Sequence, residues 1–165
     1  MKRTPLSFLI IPLLLLFVGC GQADSGTPKY TQEDTYLVID GAQYRCGGNI
    51  DAVIAALGDG YAYAEGRSCD YDGMDKTFIY PVAEFYTWPL EGGDIVNEIY
   101  TQDPAVTTSR GIAVGAGAPD VLAAYGSDCE DTGWQLIYTQ ADSPALCFDL
   151  EDGIVRAISL TMQPS

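Results

Sequence analysis

The stretch VIAALG at residues 53–58 recurs as VLAAYG at residues 121–126, and this recurrence decides the fold prediction. Two further matches follow in the same order, IY at 79–80 with IY at 137–138 and IVNEI at 95–99 with IVRAI at 154–158. Three motifs that recur in one order indicate an internal repeat. We assign repeat 1 to residues 35–104 and repeat 2 to residues 105–165. Each of these small units would be only marginally stable alone, so we expect the two to fold together as one cooperative domain.

Each copy begins with a short amphipathic helix. From Ile50 to Leu57, and again from Ala118 to Tyr125, apolar residues recur at the i, i+3, i+4, i+7 spacing of one buried stripe. Asn49 is a good N-cap for the first helix. Pro119 fits the first turn of the second helix. We therefore predict two helices, the second of them more weakly capped.

Strand patterns follow each helix. The predicted strands cover residues 77–82, 85–88 and 95–100 in repeat 1, and 134–138, 146–149 and 154–160 in repeat 2. A leading hairpin is predicted over residues 36–45, and a short strand over residues 111–115. Sequential antiparallel strands with segregated helices predict an α+β fold with one continuous sheet and the helices on one face.

The N-terminus predicts export and lipidation. Lys2 and Arg3 precede an apolar run over residues 6–18, which is the length of a signal h-region. LFVGC at residues 16–20 resembles a bacterial lipobox, so residues 1–19 are predicted to be the signal peptide and Cys20 the lipidated residue. Residues 20–34 then form the lipidated end and a flexible tether. Cleavage by an ordinary signal peptidase after Ala23 is the alternative.

Composition limits the classes of partner and of chemistry. All 23 acidic residues follow Cys20, whereas only six of the 8 basic residues do, so the mature chain carries a formal charge of −17. Such a surface repels nucleic acid. The chain has no histidine, which excludes Ser-His-Asp and Cys-His catalysis and histidine metal ligands. We predict no enzyme activity, no cofactor and no metal site.

Four cysteines remain after Cys20, and an even number in an exported chain predicts two disulfides. Four cysteines allow three pairings. We favour Cys46–Cys69 and Cys129–Cys147, because each of these pairs falls within one repeat.

Strand alternation gives one candidate binding site. If Phe85 and Thr87 face the helices, Tyr86 and Trp88 face the open side of the sheet, where aromatic side chains are favoured contacts for proteins. The alternative is that a loop, or the segment 60–76, covers them. Trp134 and Tyr138 are predicted to lie in the core. The acidic residues around Gly73, including Asp75, indicate a solvated turn rather than a Ca²⁺ loop.

The segments GIAVG at 111–115 and DVLAAYG at 120–126, within a tandem helix-plus-meander unit, resemble the β-lactamase-inhibitory-protein fold. They are also similar to the small lipoprotein of the outer-membrane β-barrel assembly machinery. The resemblance covers most of residues 36–162. It implies a non-enzymatic protein that binds other proteins, in the inhibitor through a concave sheet and with one disulfide per repeat. No functional residue can be transferred by position.

These observations predict an extracytoplasmic lipoprotein, anchored to the membrane by its N-terminal lipid, that binds a protein or peptide through Tyr86 and Trp88. The alternative is a lipoprotein that binds a small ligand, either a cell-wall glycan or a cation. A carboxylate-dependent hydrolase is a further alternative, since glycoside hydrolysis needs only two carboxyl groups at a set separation.

Overall fold

The computed structural model describes residues 28–163, and these residues adopt the predicted α+β fold. They form two α-helices, a three-stranded sheet and an eight-stranded sheet, and every strand pairing is antiparallel. The predicted signal segment and Cys20 lie outside the described residues. Within residues 28–163, no helix combines the length and apolar character that crossing a bilayer requires.

The small sheet contains the predicted leading hairpin. Strands β1 (Leu37–Ile39) and β2 (Ala42–Tyr44) pair with each other, and β7 (Thr107–Thr108) pairs with the other edge of β1. Asp40 and Gly41 join the hairpin with φ of 51° and 79°. Two consecutive positive φ values are those of a type I′ turn, the connection that matches the twist of two antiparallel strands.

The prediction of a strand over residues 111–115 is wrong. Gly111 and Gly115 have φ of 78° and 95°, so the backbone leaves the extended region at both ends of this segment. An isolated bridge joins Ala113 to Thr107. The regular strand of this region lies earlier in the chain, at β7.

The strands of the eight-stranded sheet are, in chain order, β3 (Ala62–Arg67), β4 (Met74–Ile79), β5 (Glu84–Leu90), β6 (Gly93–Thr101), β8 (Glu130–Asp131), β9 (Gln135–Tyr138), β10 (Ala145–Glu151) and β11 (Ile154–Thr161). Their order across the sheet is β3-β4-β5-β6-β11-β10-β9-β8. The six strands predicted from the sequence correspond to six of these, while β3 and β8 were not predicted. Both lie at the sheet edges and are exposed along their whole length.

One buried row crosses this sheet and forms the centre of the core. The row follows the strand register from β4 to β9 through Phe78, Phe85, Ile99, Leu160, Leu146 and Tyr138. All of these side chains are buried. They belong to the same hydrophobic cluster as Ile50 and Val53 from one helix and Val121 and Tyr125 from the other.

Both helices lie where the sequence places them. Helix α1 (Ile50–Leu57) is capped by Asn49, whose Oδ1 accepts a hydrogen bond from the Asp51 N–H at 2.8 Å. Helix α2 (Ala118–Tyr125) has Gly117 at its N-cap, so no side chain caps it there. Instead, the Asp120 carboxylate accepts a hydrogen bond from the Gly117 N–H at 3.1 Å.

Candidate functional site

The side of the large sheet opposite the buried row carries polar and aromatic side chains, and we call it the outer face. Its members follow from the strand register. Its polar and aromatic members on the central strands are Glu84, Tyr86, Trp88, Glu98, Tyr100, Cys147, Asp149, Ser159 and Thr161. Except for Trp88, these side chains are partly exposed although their strands are central. A polar face that solvent reaches at the middle of a sheet is the best candidate for a binding surface.

Tyr86 lies on the outer face, as alternation predicts, while Phe85 and Thr87 are buried on the other side. The Tyr86 hydroxyl donates a hydrogen bond to the Glu84 carboxylate, with an O–O distance of 2.6 Å. Burial raises the pKa of the Tyr86 phenol, and the bond to Glu84 raises it further. Tyr86 is therefore held in place as a neutral hydrogen-bond donor, with part of its ring accessible.

Trp88 shares this face but is not available as a contact residue. Only 8% of its surface is exposed. The ring of Tyr71, from the connection between β3 and β4, lies over it with 5.3 Å between ring centroids. The sequence-based prediction that Trp88 contacts a partner directly is therefore wrong. The alternative, that the segment 60–76 covers it, holds for this residue.

Three carboxylates gather on the outer face around Tyr86 and Tyr100. Burial raises the pKa of the Glu98 carboxyl, and the negative charges of Asp149 and Glu84 raise it further. A hydrogen bond from Thr161 acts to lower this pKa, but the net shift is upward. Gln135 donates to Asp149 at 2.7 Å. No described lysine or arginine forms an ion pair with Glu84, Glu98 or Asp149. The outer face thus presents uncompensated negative charge, which favours a positively charged ligand.

A small cleft opens beside Tyr86, with a volume of about 120 Å³. A β-bulge shapes it, because Tyr86 pairs with Glu98 and Thr87 pairs with Val96, which leaves Asn97 as the extra residue. A bulge sets two residues of one strand opposite one residue of the other. The cleft is lined on this face by Asp75, Thr77, Tyr86, Trp88, Asn97 and Glu98.

Two oxygen atoms in the lining of this cleft have no donor. The Oδ1 atoms of Asp75 and Asn97 are buried and accept no hydrogen bond. Buried polar atoms are nearly always hydrogen-bonded, so two unsatisfied acceptors in one cleft need an explanation. Asp75 lies on β4 rather than in the solvated turn that the sequence suggested. The bulge at Asn97 has no sequence signature that could have revealed it.

The predicted disulfides are absent, and all four described cysteines have free thiols. Cys46 donates from Sγ to the Leu160 carbonyl oxygen on β11 at 3.3 Å. Cys69 follows β3, which lies four strand positions from β11 in the sheet order. Four spacings of about 4.8 Å exceed the roughly 7 Å that separates the Cα atoms of bonded cysteines. The strand order therefore separates Cys46 from Cys69.

The second predicted bridge fails for a different reason. Cys147 pairs in register with Ile137, which pairs with Glu130, so these three residues share the outer face. Cys129 precedes Glu130 and packs against the core, on the other side of the sheet. Burial raises the pKa of Cys147 to about 11 and that of Cys46 to about 12, so neither is an activated nucleophile.

Trp134 and Tyr138, both predicted to lie in the core, differ in burial. Tyr138 is buried, and its hydroxyl donates to the Gly126 carbonyl oxygen at 2.8 Å. Trp134, by contrast, is 61% exposed, so its predicted core position is wrong. It lies one residue before β9, at a corner of the sheet. Alternation gives the direction of a side chain but not whether another element packs above it.

The described residues offer no evident site for a metal. Within residues 28–163, no group of three or more Cys, Asp or Glu side chains is arranged to hold an ion. No family model, no curated protein and no solved structure matches the chain. The resemblance to the β-lactamase-inhibitory-protein fold therefore stays a prediction.

Proposed function

We propose that this chain is an extracytoplasmic lipoprotein, anchored through Cys20, that binds a protein or peptide partner on the outer face without catalysing a reaction. The observation that carries the proposal is the row Glu84, Tyr100, Ser159 and Cys147, which crosses the four central strands and is partly exposed throughout. The equivalent row on the other side is fully buried. A broad, accessible surface of this kind suits a macromolecular partner better than an enclosed substrate.

The proposal includes two tandem units with their helices on one face of the sheet. Two observations support this organisation. The strand order places β3 to β6 in one half and β8 to β11 in the other, joined through β6 and β11. Each half also has a bulge, with Asn97 as the extra residue opposite Tyr86 and Arg156 as the extra residue opposite Asp149. These two bulged residues occupy the same place in the repeated motifs IVNEI and IVRAI.

The binding residues in the proposal are Tyr86 and the carboxylates around it, while Trp88 supports the surface from beneath Tyr71. A tyrosine that is already held by a hydrogen bond loses little conformational freedom on binding. The absence of histidine from the sequence supports a binding role over a catalytic one.

Affinity capture after crosslinking in the native envelope tests the proposal. The wild-type chain should capture a specific protein that Tyr86→Ala loses and that Leu122→Ala retains. Leu122 is the matched control because it is an exposed apolar residue on α2. Equal capture by all three chains would refute the outer face as the site. No capture by any of them, with a thermal shift on adding glycan fragments, would favour the small-ligand alternative.

A further inference from the structure

We propose that the cleft beside Tyr86 binds the guanidinium group of an arginine side chain presented by the partner. This inference rests on the proposed function, since it names the chemistry by which the outer face recognises that partner. Its starting point is the pair of unsatisfied acceptors, Asp75 Oδ1 and Asn97 Oδ1, in the lining of one cleft.

Both buried atoms in the cleft that lack a hydrogen-bond partner are acceptors. Asp75, Asn97 and Glu98 all line it, and Glu98 adds a third side chain with acceptor oxygens. Lys76 also lines it, but its Nζ is held by the Asp94 carboxylate at 2.7 Å. A ligand group that satisfies both atoms must therefore donate at least two hydrogen bonds. Guanidinium and ammonium groups have this property.

The arrangement of the acceptors favours guanidinium over ammonium. Asp75 lies on β4 and Asn97 on β6, the two strands that flank β5. Their backbones are thus about 10 Å apart, two strand spacings of about 4.8 Å each. A guanidinium group presents five donors in a planar fork and can reach acceptors on both sides, whereas an ammonium group is a compact point charge.

The remaining lining and the size of the cleft fit the same ligand. Tyr86, which is partly exposed, lines it with aromatic surface, on which a guanidinium group stacks favourably. The volume of about 120 Å³ is several times the roughly 30 Å³ that one water occupies in the liquid. The cleft therefore has room for the end of one side chain. A bare metal ion is disfavoured by the aromatic lining.

The negative net charge of the chain also favours a positively charged ligand. From Cys20 onward, the sequence contains 23 acidic residues and six basic residues. Such a field raises the rate at which a positively charged partner meets the surface. The partner in this proposal is a protein with an exposed arginine in a basic segment.

NMR titration of the domain at physiological ionic strength tests the inference. Three capped tripeptides serve as probes, with arginine, citrulline or lysine between two glycines. Citrulline keeps the shape of arginine but removes its charge. The arginine peptide should shift the Asn97 side-chain amide and the Trp88 indole N–H resonances. It should bind at least tenfold more tightly than the citrulline peptide and measurably more tightly than the lysine peptide.

A pair of variants locates the site. Asp75→Asn should weaken binding of the arginine peptide about tenfold. Asp72→Asn should leave the affinity unchanged, because Asp72 is an exposed residue in the connection that precedes β4. The inference would be overturned if the citrulline peptide bound with the same affinity as the arginine peptide. It would also be overturned if the lysine peptide did so. Shifts confined to residues outside the cleft would also overturn it.

The same variants separate this inference from the proposed function. If Asp75→Asn still captures the envelope partner as wild type does while Tyr86→Ala loses it, the outer face binds the partner but the cleft holds no arginine. If Tyr86→Ala also retains the partner, the proposed function itself fails.

Discussion

Arg110 and Asp34 form a bidentate ion pair that ties the N-terminal segment to the end of α2. Nε lies 2.8 Å from Oδ1 and Nη2 lies 2.7 Å from Oδ2. Nη1 also donates to the Ala124 carbonyl oxygen at 2.6 Å, and the guanidinium group lies 4.9 Å from the centroid of the Tyr125 ring. Burial acts to raise the pKa of the Asp34 carboxyl, but hydrogen bonds from Arg110 and Thr31 outweigh it and lower this pKa.

Replacing Arg110 should destabilise the fold strongly. Arg110→Met leaves the Asp34 carboxylate, whose side chain is 9% exposed, without its counter-ion. Breaking a partly buried pair in this way costs about 2–3 kcal/mol of unfolding free energy. Urea unfolding at pH 7 measures the loss. The matched control is Arg156→Met, which removes an exposed pair with Glu151 and should cost less than about 1 kcal/mol. Similar losses in both variants would contradict the structural role of the Arg110–Asp34 pair.

Replacing Glu98 should stabilise the fold at neutral pH. The pKa of this carboxyl is raised in the folded state, so the folded chain binds the proton more tightly than the unfolded chain does. Ionised Glu98 therefore costs stability, and the cost appears as the pH rises through the folded-state pKa. Glu98→Gln should be more stable than wild type at pH 7 and equal to it near pH 3.

Thermal unfolding of Glu98→Gln across this pH range makes the comparison. Glu91→Gln is the control, because Glu91 is exposed in the turn between β5 and β6. A stability difference for Glu98→Gln that stays constant from pH 3 to pH 7 would show that ionisation of Glu98 is not its cause.

The two tryptophans should differ sharply in solvent access. Trp134 is 61% exposed and Trp88 is 8% exposed. Acrylamide should quench wild-type fluorescence in two phases, and Trp134→Phe should remove the accessible phase and leave blue-shifted emission. Tyr71→Ala should then make Trp88 quenchable, since Tyr71 covers its ring. If Trp88 is already as accessible as Trp134 in the wild-type chain, Tyr71 does not cover it.

The thiols should react in order of exposure. Cys69 is exposed and should be alkylated first in the folded protein. Cys46 and Cys147, whose pKa values are raised by burial to about 12 and about 11, should react only on unfolding. Peptide mapping by mass spectrometry gives the order. A Cys46–Cys69 or Cys129–Cys147 peptide under non-reducing conditions would contradict the strand order of the sheet.

The sequence predicted those parts of the fold that depend on local periodicity. The apolar stripe from Ile50 to Leu57, and the alternation that separates Phe85 from Tyr86, each follow from backbone geometry within one element. Strand β3 lacks this signal because an edge strand that is exposed along its length has no buried side to produce it. Periodicity therefore identified the central strands and missed the edges.

The candidate site depends on relationships between elements, and these were only partly predictable. That Tyr86 and Trp88 share a face follows from alternation, but the cover over Trp88 comes from Tyr71 in a connection of irregular structure. The cleft needs a bulge at Asn97 and a neighbour two strands away at Asp75. The cysteine pairings failed because the repeat indicated which residues correspond but not how far apart the strands lie.

Photo-crosslinking from single positions tests the binding claim most directly. Benzoylphenylalanine in place of Tyr86 samples the outer face, and the same residue in place of Trp134 samples an exposed aromatic position at a corner of the sheet. With the full chain expressed in its native cells, we predict one discrete protein adduct from position 86 and none from position 134. The same adduct from both positions, or an adduct from position 134 alone, would contradict the claim that the outer face is the binding surface.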